Sequence, residues 1–403
     1  MLIPKSQKTY CLIDCDSFYA SCEQVRNPKL IWKPVCVCRQ TDIVLAASYE
    51  AKALWVKTWT AAREAKKLIP HAIFVEPDFG RYWTISNKLI EYLREFTNWV
   101  EVFSIDEMRC DITWMAASFW LDEERFAFYL KHKIKRSIWI PVSIGVARTK
   151  LLAKLFSDIN KPFWHFIWTD NFVVDEVLKN HDVDEVCFIG DARAARLAIP
   201  DALTFKQMDH RLVKNKLGMD WLKVWMELNW RDIMTFETKK PKNIVRTRSF
   251  HPHFTSDKDI VRNHVINNLQ KAYAEMRKHD LATNRVWISF RDKNYRKYWK
   301  DVFLQHATTS LKDITEVVKK LFSECFYKWV MYRTTWVYFW WLSDPRRITL
   351  DLFSAPSYYK DKAISDAVSK INQKFWKTVI KSANQKFEYK QKSSIESFVS
   401  FTV

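Results

Sequence analysis

Four glycines in 403 residues constrain this chain more than any other feature of its sequence. Average usage would supply roughly 28. Tight turns and helix C-termini often need positive φ, and glycine enters that region without strain. A chain this poor in glycine must build such turns from residues that carry a Cβ. Tryptophan, at 20, is over-supplied where glycine is scarce.

The length predicts two or three domains at ~150 residues each. Lys and Arg number 65 against 46 Asp and Glu, a net charge of +19. That balance points to a polyanionic partner, nucleic acid first and an anionic membrane surface second. At 48% hydrophobic and 28% charged, the chain is globular, not disordered. No apolar run reaches the ~18 residues of a membrane span. Met1 to Tyr10 carries Lys5 and Lys8 with no apolar segment behind them, which is not a signal-peptide pattern. Eight cysteines without a CxxC pair argue against a disulfide scaffold and a structural zinc site. The expectation is a cytoplasmic protein with reduced thiols.

Along the chain, Tyr10–Asp14 reads as a buried strand and Ser17–Val25 as a helix. Lys33–Arg39 and Asp42–Ala46 read as strands, and Ser48–Leu54 and Thr60–Leu68 as helices. Tyr82–Phe96 is amphipathic, with Ile85, Leu89, Tyr92, Leu93 and Phe96 at spacings of three and four. Strands at Val100–Phe103 and Met108–Ile112 flank a turn at Ser104–Glu107. Helix Phe119–Ile134, strand Ile140–Val146 and helix Thr149–Ile159 complete a mixed α/β layer. Val183–Asn229 is helix-rich, and Lys239–Arg248 reads as a linker. The segment from Val245 to Trp340 then has the order βαββαβ, which is ferredoxin-like. One more helix is expected near Ala363–Phe375.

Asp14 and Asp16 close the first strand, and Asp106 and Glu107 sit at the later turn. Neighbours on a regular strand point to opposite faces, so adjacent carboxylates converge only at a turn or bulge. Such a set suits Mg²⁺, a hard ion that takes oxygen ligands. Two such ions can clamp the attacking and leaving oxygens of phosphoryl transfer. On spacing alone, ordinary solvated caps at strand ends are the better reading. Lys150, Lys154 and Lys161 read as a stripe on one helix face, and Tyr49 and Lys52 stand at a helix start, where backbone N–H groups favour phosphate. Singly each lysine is an ordinary solvated residue. With the net charge, phosphate contact becomes credible.

These residues also form a recognisable series. Asp14-Cys15-Asp16-Ser17-Phe18-Tyr19-Ala20 with Glu23 resembles the first motif of the Y-family (DinB/UmuC-like) translesion DNA polymerases. Val44–Lys52 resembles that family's fingers motif, and Ser104-Ile105-Asp106-Glu107 with Asp111 and Thr113 its palm turn. The block from Ser143 to Pro162 is similar to the next one. The resemblance implies an α/β (α+β) right-hand polymerase. It implies a palm (1–24 and 81–175), fingers (25–80), a helix-hairpin-helix-like thumb (176–238), a linker (239–248), a little finger (249–343) and a tail (344–403). It implies that Asp14, Asp106 and Glu107, with the Cys15 carbonyl, bind two Mg²⁺ ions. Tyr19 would be the steric gate against a ribose 2′-OH, with Phe18 beside it. Tyr49, Lys52 and Lys161 would hold the incoming dNTP. Asp16 matches a position that is not usually a direct ligand. Thr349–Phe353 resembles a sliding-clamp-binding peptide, with Leu350, Leu352 and Phe353 as anchors; a short core strand is the other reading.

The expected function is low-fidelity, template-directed translesion synthesis by a monomer on primer–template DNA, with no membrane role. The alternative is a catalytically weak scaffold of the same fold that grips DNA and the clamp. The chain departs from the family at turns. Trp32, Trp55, Trp59, Trp114, Trp164, Trp336 and Trp376 stand where glycine is usual, and Phe188 replaces the first glycine of the thumb motif. As core aromatics these would be harmless. At positive φ each is strained by about 1–3 kcal/mol, and reduced stability or turnover follows.

Overall fold

The computed structural model describes residues 8–39, 43–167, 171–190, 199–234, 240–250 and 254–347, with Tyr359, Ala363, Ile364 and Ala367. The chain divides into two compact units, Met1–Glu237 and Thr238–Val403.

The first unit is built on a sheet of order β5-β6-β1-β7-β8, formed by β1 (Tyr10–Cys15), β5 (Val100–Val102), β6 (Glu107–Asp111), β7 (Val142–Ala147) and β8 (His165–Ile167). β1 lies antiparallel to both β6 and β7, and every one of its six residues is buried. A strand buried on both faces needs cover on both sides, and the period-two alternation assigns it. Cys11, Ile13 and Cys15 pack with Leu89 and Leu93 of α4 (Phe79–Arg94) and Phe126, Leu130 and Ile134 of α6 (Glu123–Ile138). Tyr10 and Leu12 face the other way, against Leu151, Leu152 and Leu155 of α7 (Lys150–Asp158). Asp14 shares the Tyr10 and Leu12 face, so the strand's parity aims its carboxylate at α7.

The remaining elements of this unit frame that sheet. α1 (Phe18–Arg26) follows β1, and α5 (Met115–Ser118) precedes α6. A small sheet of order β3-β2-β4, from β2 (Val35–Val37), β3 (Ala46–Ala47) and β4 (Ile73–Val75), packs with α2 (Tyr49–Ala53) and α3 (Ala62–Leu68). Its core combines small side chains, Cys36, Ala47, Ala51, Ala62 and Ala65, with Val44, Val56 and Ile69. Helices α8 (Asn171–Lys179), α9 (Ala202–Gln207), α10 (His210–Leu217) and α11 (Met219–Leu228) form a helical cluster. The buried Glu227 ties α11 to α7 by accepting from the Leu151 N–H at 3.3 Å.

The second unit carries β9 (Ile244–Ser249), α12 (Lys258–Lys278), β10 (Ala282–Asp292), β11 (Lys297–Thr308), α13 (Leu311–Cys325) and β12 (Tyr332–Ser343). This is the expected βαββαβ order. The sheet runs β11-β10-β12-β9, all neighbours antiparallel, so β12 is inserted between the two strands that α12 connects. Val286, Ile288, Phe290, Val337 and Phe339 pack against both helices.

Several sequence expectations are corrected. Phe119–Ile134 is not one helix: α5 ends at Ser118, Trp120 turns to φ 57, and α6 starts at Glu123 and runs on to Ile138. The strand expected at Asp42–Ala46 reduces to Ala46–Ala47. β8 was not anticipated, and half of the linker, from Ile244, is strand β9. Lys161 lies beyond the end of α7, so the three lysines do not share one helix face. Of the helix expected at Ala363–Phe375 only Ala363, Ile364 and Ala367 are described, all three helical, and the peptide Thr349–Phe353, with Leu350, Leu352 and Phe353, lies outside the described residues.

The positive-φ expectation holds at Trp32, Trp55, Trp59 and Phe188. It fails at Trp114, which has φ −110, at Trp164, and at Trp336, which sits inside β12. Trp376 lies outside the described residues.

Candidate active site

The site grows from three chain reversals. β1 delivers Asp14 opposite Glu107 on β6 and Ser143 on β7. The turn before β6 is held by a Ser104 Oγ hydrogen bond to Asp106 Oδ1 and by the Cys15 N–H donating to the Asp106 carbonyl at 2.9 Å. This locks Asp106 and Glu107 beside the end of β1. Their convergence comes from a turn, as the argument from strand parity required.

α7 closes the third side. A Cβ on Gly145 would stand 2.1 Å from the Ala153 carbonyl oxygen and 2.3 Å from the Ser157 nitrogen. Glycine at this point of β7 therefore lets the α7 backbone lie directly on the sheet. That approach brings the Lys154 ammonium to 3.2 Å from Asp14 Oδ2 and 2.8 Å from Glu107 Oε1. Lys154 also pairs with Asp158 Oδ2 at 2.8 Å. Lys161, from the loop after α7, reaches Asp14 Oδ2 at 2.7 Å and Asp158 Oδ1 at 2.6 Å.

Charge and burial act against each other here. Burial pushes the Glu107 carboxyl up to about 7, with Lys154 opposing and Asp14 adding to the shift. Burial also raises Asp106, against its hydrogen bond from Ser104. Burial lowers Lys154 and Lys161, but the surrounding carboxylates outweigh it, and both stay firmly protonated. Burial alone would raise Asp158, yet the two lysines hold it below its ordinary value.

Asp16 has a different job. It is 1% exposed and accepts from the Phe163 N–H at 2.7 Å, Ser143 Oγ at 2.9 Å and Tyr49 Oη at 3.3 Å. It fastens the loop after α7 and the start of α2 to the end of β1.

The nucleotide-contact candidates surround this centre. Lys52 Nζ lies over the Tyr49 ring at 4.3 Å, and burial, then the nearby Lys161 charge, lowers its pKa. Tyr19 stacks on Tyr82 with ring centroids 4.6 Å apart and meets Phe79 edge-on at 5.9 Å. Phe18 is buried beside it at 5.7 Å. Tyr82 is itself held by a 2.8 Å hydrogen bond to the buried Glu23. The result is a rigid aromatic wall next to the carboxylates.

Asp14, Cys15, Asp106, Glu107, Tyr49, Lys52, Lys161, Phe18 and Tyr19 are thus brought into one neighbourhood. Sequence reasoning had not placed Asp158 or Tyr82 there. Asp158 reads as an ordinary i,i+4 partner of Lys154, and Tyr82 as one more apolar position of an amphipathic helix. Among the described residues no three His, Cys, Asp or Glu side chains form a ready metal-ligating group. The lysines, which bridge the carboxylates, supply the reason. The donor set still fits a divalent cation. It is all oxygen, and burial penalises its negative charge, so a hard cation would be favoured.

Comparison with known proteins identifies the family. Residues 13–158 match the model of the impB/mucB/samB family, and residues 241–349 match that of the same family's C-terminal domain. The two matches together span well over half of the chain. DNA polymerase IV of Bacillus velezensis is 28% identical over 401 residues, covering 92% of this chain and 91% of that protein. DNA polymerase IV 2 of Mesorhizobium japonicum is 41% identical over 149 residues, 37% of this chain and 35% of that one. Among solved structures, a Y-family DNA polymerase chimera of Dbh and Dpo4 superposes with a TM-score of 0.66 at 24% identity, over 82% of this chain and 98% of that one. An insertion ternary complex of Dbh DNA polymerase matches over the same shares with a TM-score of 0.56.

Proposed function

The chain belongs to the impB/mucB/samB family, is a DinB-like Y-family DNA-directed DNA polymerase, and on that premise we propose that it performs low-fidelity translesion synthesis on primer–template DNA. The observation that carries the reading is the meeting of Asp14, Asp106 and Glu107 with Lys154 and Lys161 at one strand end.

In this reading Asp14, Asp106, Glu107 and the Cys15 carbonyl hold two Mg²⁺ ions. When bound, these would stabilise the charge of the transferred phosphoryl and lower the pKa of the attacking hydroxyl. The rest is positioning and electrostatics, which is most of what phosphoryl transfer needs. Lys161, Lys52 and Tyr49 orient the triphosphate of a dNTP. Lys52 offers a point charge, not the planar fork of an arginine. Asp158, shared with Lys154, keeps Lys161 in place. Tyr19, fixed against Tyr82 and Phe79, blocks the space a ribose 2′-OH would need. Asp16 positions and does not ligate.

Residues 1–24 and 81–175 act as palm, 25–80 as fingers, 176–238 as thumb and 249–343 as little finger, joined by 239–248. Leu350, Leu352 and Phe353 would engage a sliding clamp from the tail 344–403, a proposal that rests on sequence alone. No helix among the described residues is long and apolar enough to cross a membrane. We place the enzyme in the cytoplasm as a monomer.

The test is extension of one primer on two templates, undamaged and carrying a single abasic site. Insertion opposite the lesion followed by further extension supports translesion synthesis. Extension that stops one nucleotide short of the lesion, with the undamaged template fully copied, refutes it.

A further inference from the structure

Among the described residues ten aromatics have positive φ, and seven of them are tryptophan: Trp32, Trp55, Trp59, Trp120, Trp139, Trp230 and Trp341. Tryptophan is only about a third of the aromatic residues (20 Trp, 15 Tyr, 27 Phe). Of the four glycines, only Gly218 has positive φ. The residue type with the largest side chain thus occupies the backbone region that favours the type with none.

The positions are specific. At the end of α2 the Trp55 N–H donates to the Lys52 carbonyl and the Val56 N–H to the Ala51 carbonyl. The same pair of bonds recurs at α5, with Trp120 to Ala117 and Leu121 to Ala116, and at α11, with Trp230 to Glu227 and Arg231 to Met226. Each is a Schellman cap whose left-handed residue, glycine by preference, is tryptophan here. Trp139 closes α6 with the simpler single-bond cap, to the Lys135 carbonyl at 3.0 Å. Trp32 at φ 63 follows Ile31 at φ −61 and ψ 137, and Lys33 N–H bonds the Leu30 carbonyl. That is a type II turn, which requires positive φ at its third residue. Trp59 is the third residue of the turn closed by Thr60 N–H to the Lys57 carbonyl. Trp341 stands opposite Asn284, where the β10–β12 ladder leaves one pair unmatched without a change of register.

The side chains do little to offset this strain. Trp32, Trp55, Trp59, Trp120, Trp139 and Trp341 are all exposed, Trp120 at 94%. The seven sit at the ends of different elements and in turns, six of them in the first unit and Trp341 in the second. Trp225 makes the contrast. It lies inside α11, not at a positive φ, and its Nε1–H donates to the Met208 carbonyl at 3.0 Å.

We propose that the protein made in its own cells carries glycine at these seven positions, and tryptophan at Trp225, because one codon written here as tryptophan is decoded there as glycine. UGA fits this role: it is one base from the tryptophan codon UGG and one base from the glycine codon GGA. The backbone keeps the record of the residue that the gene specifies.

The test is peptide mass spectrometry on the protein purified from its native host, read beside the gene. The proposal expects the peptides that span the seven positions to carry glycine, and the peptide that contains position 225 to carry tryptophan. It expects UGA at the seven codons and UGG at 225. Peptides with tryptophan at the seven positions, or UGG codons there, overturn it.

Discussion

Replacing Trp139 isolates the backbone term. This residue closes α6 at φ 69 and ψ 3 and is 68% exposed, so its removal sacrifices little burial. The left-handed region costs an L-residue about 1–2 kcal/mol, and glycine returns about 0.5–1 kcal/mol of that as unfolded-state entropy. A net gain of about 1 kcal/mol for W139G follows, a Tm rise of about 2–4 °C for a unit of this size. W139A is the control. Alanine removes the indole but keeps the Cβ, and so keeps the strain. Thermal unfolding followed by far-UV circular dichroism should show a rise for W139G and little or none for W139A. Equal rises would refute the reasoning, since they would trace the effect to the exposed ring and not to φ. The six tryptophans of this class in the first unit are mostly far enough apart to add. A variant with all six as glycine should gain several kcal/mol, a large part of the ~5–15 kcal/mol that holds a domain folded.

Other consequences can be measured directly. G145A should unfold several degrees lower and lose most activity, because the new Cβ meets α7 backbone at 2.1 Å and the helix must shift. D16N should cost about 1–3 kcal/mol in a urea melt by weakening three buried hydrogen bonds, whereas D106A should leave stability unchanged or improved and remove activity. Glu101 faces the buried Arg109, and burial pushes its carboxyl up to about 7 against an ordinary 4.5. Between those values the folded state holds more protons than the unfolded one, so this group lowers stability as pH rises from about 4.5 to 7. The pH slope of urea-melt stability should therefore be less negative in E101Q over that window; an unchanged slope would remove Glu101 from the account.

Much of this molecule is legible in its sequence, for physical reasons that differ by element. β1 is marked by a short continuous apolar run and α7 by a helical period, and the carboxylates at Asp14, Asp106 and Glu107 stand at strand ends and a turn. The break at Trp120 was not legible, because Phe119–Ile134 keeps helical composition through a cap made by backbone hydrogen bonds. Trp139, Trp230 and Trp341 escaped notice for the same reason: the φ of a residue depends on where an element stops. Trp336 was misread in the opposite direction, since a strand interior accepts tryptophan without strain. The pairing of Lys154 with both Asp14 and Glu107 depends on how closely α7 lies on β7, which Gly145 permits but no local pattern announces.

The central claim is that this carboxylate cluster runs metal-dependent nucleotide transfer. The most direct measurement is primer extension with Mg²⁺ and all four dNTPs, comparing the unaltered chain with D106A and D16N, each confirmed as folded and able to bind primer–template in a gel shift. The account predicts extension by the unaltered chain, none by D106A and reduced but measurable extension by D16N. Extension that persists in D106A would contradict it, as would a folded, DNA-bound, unaltered chain that adds no nucleotide.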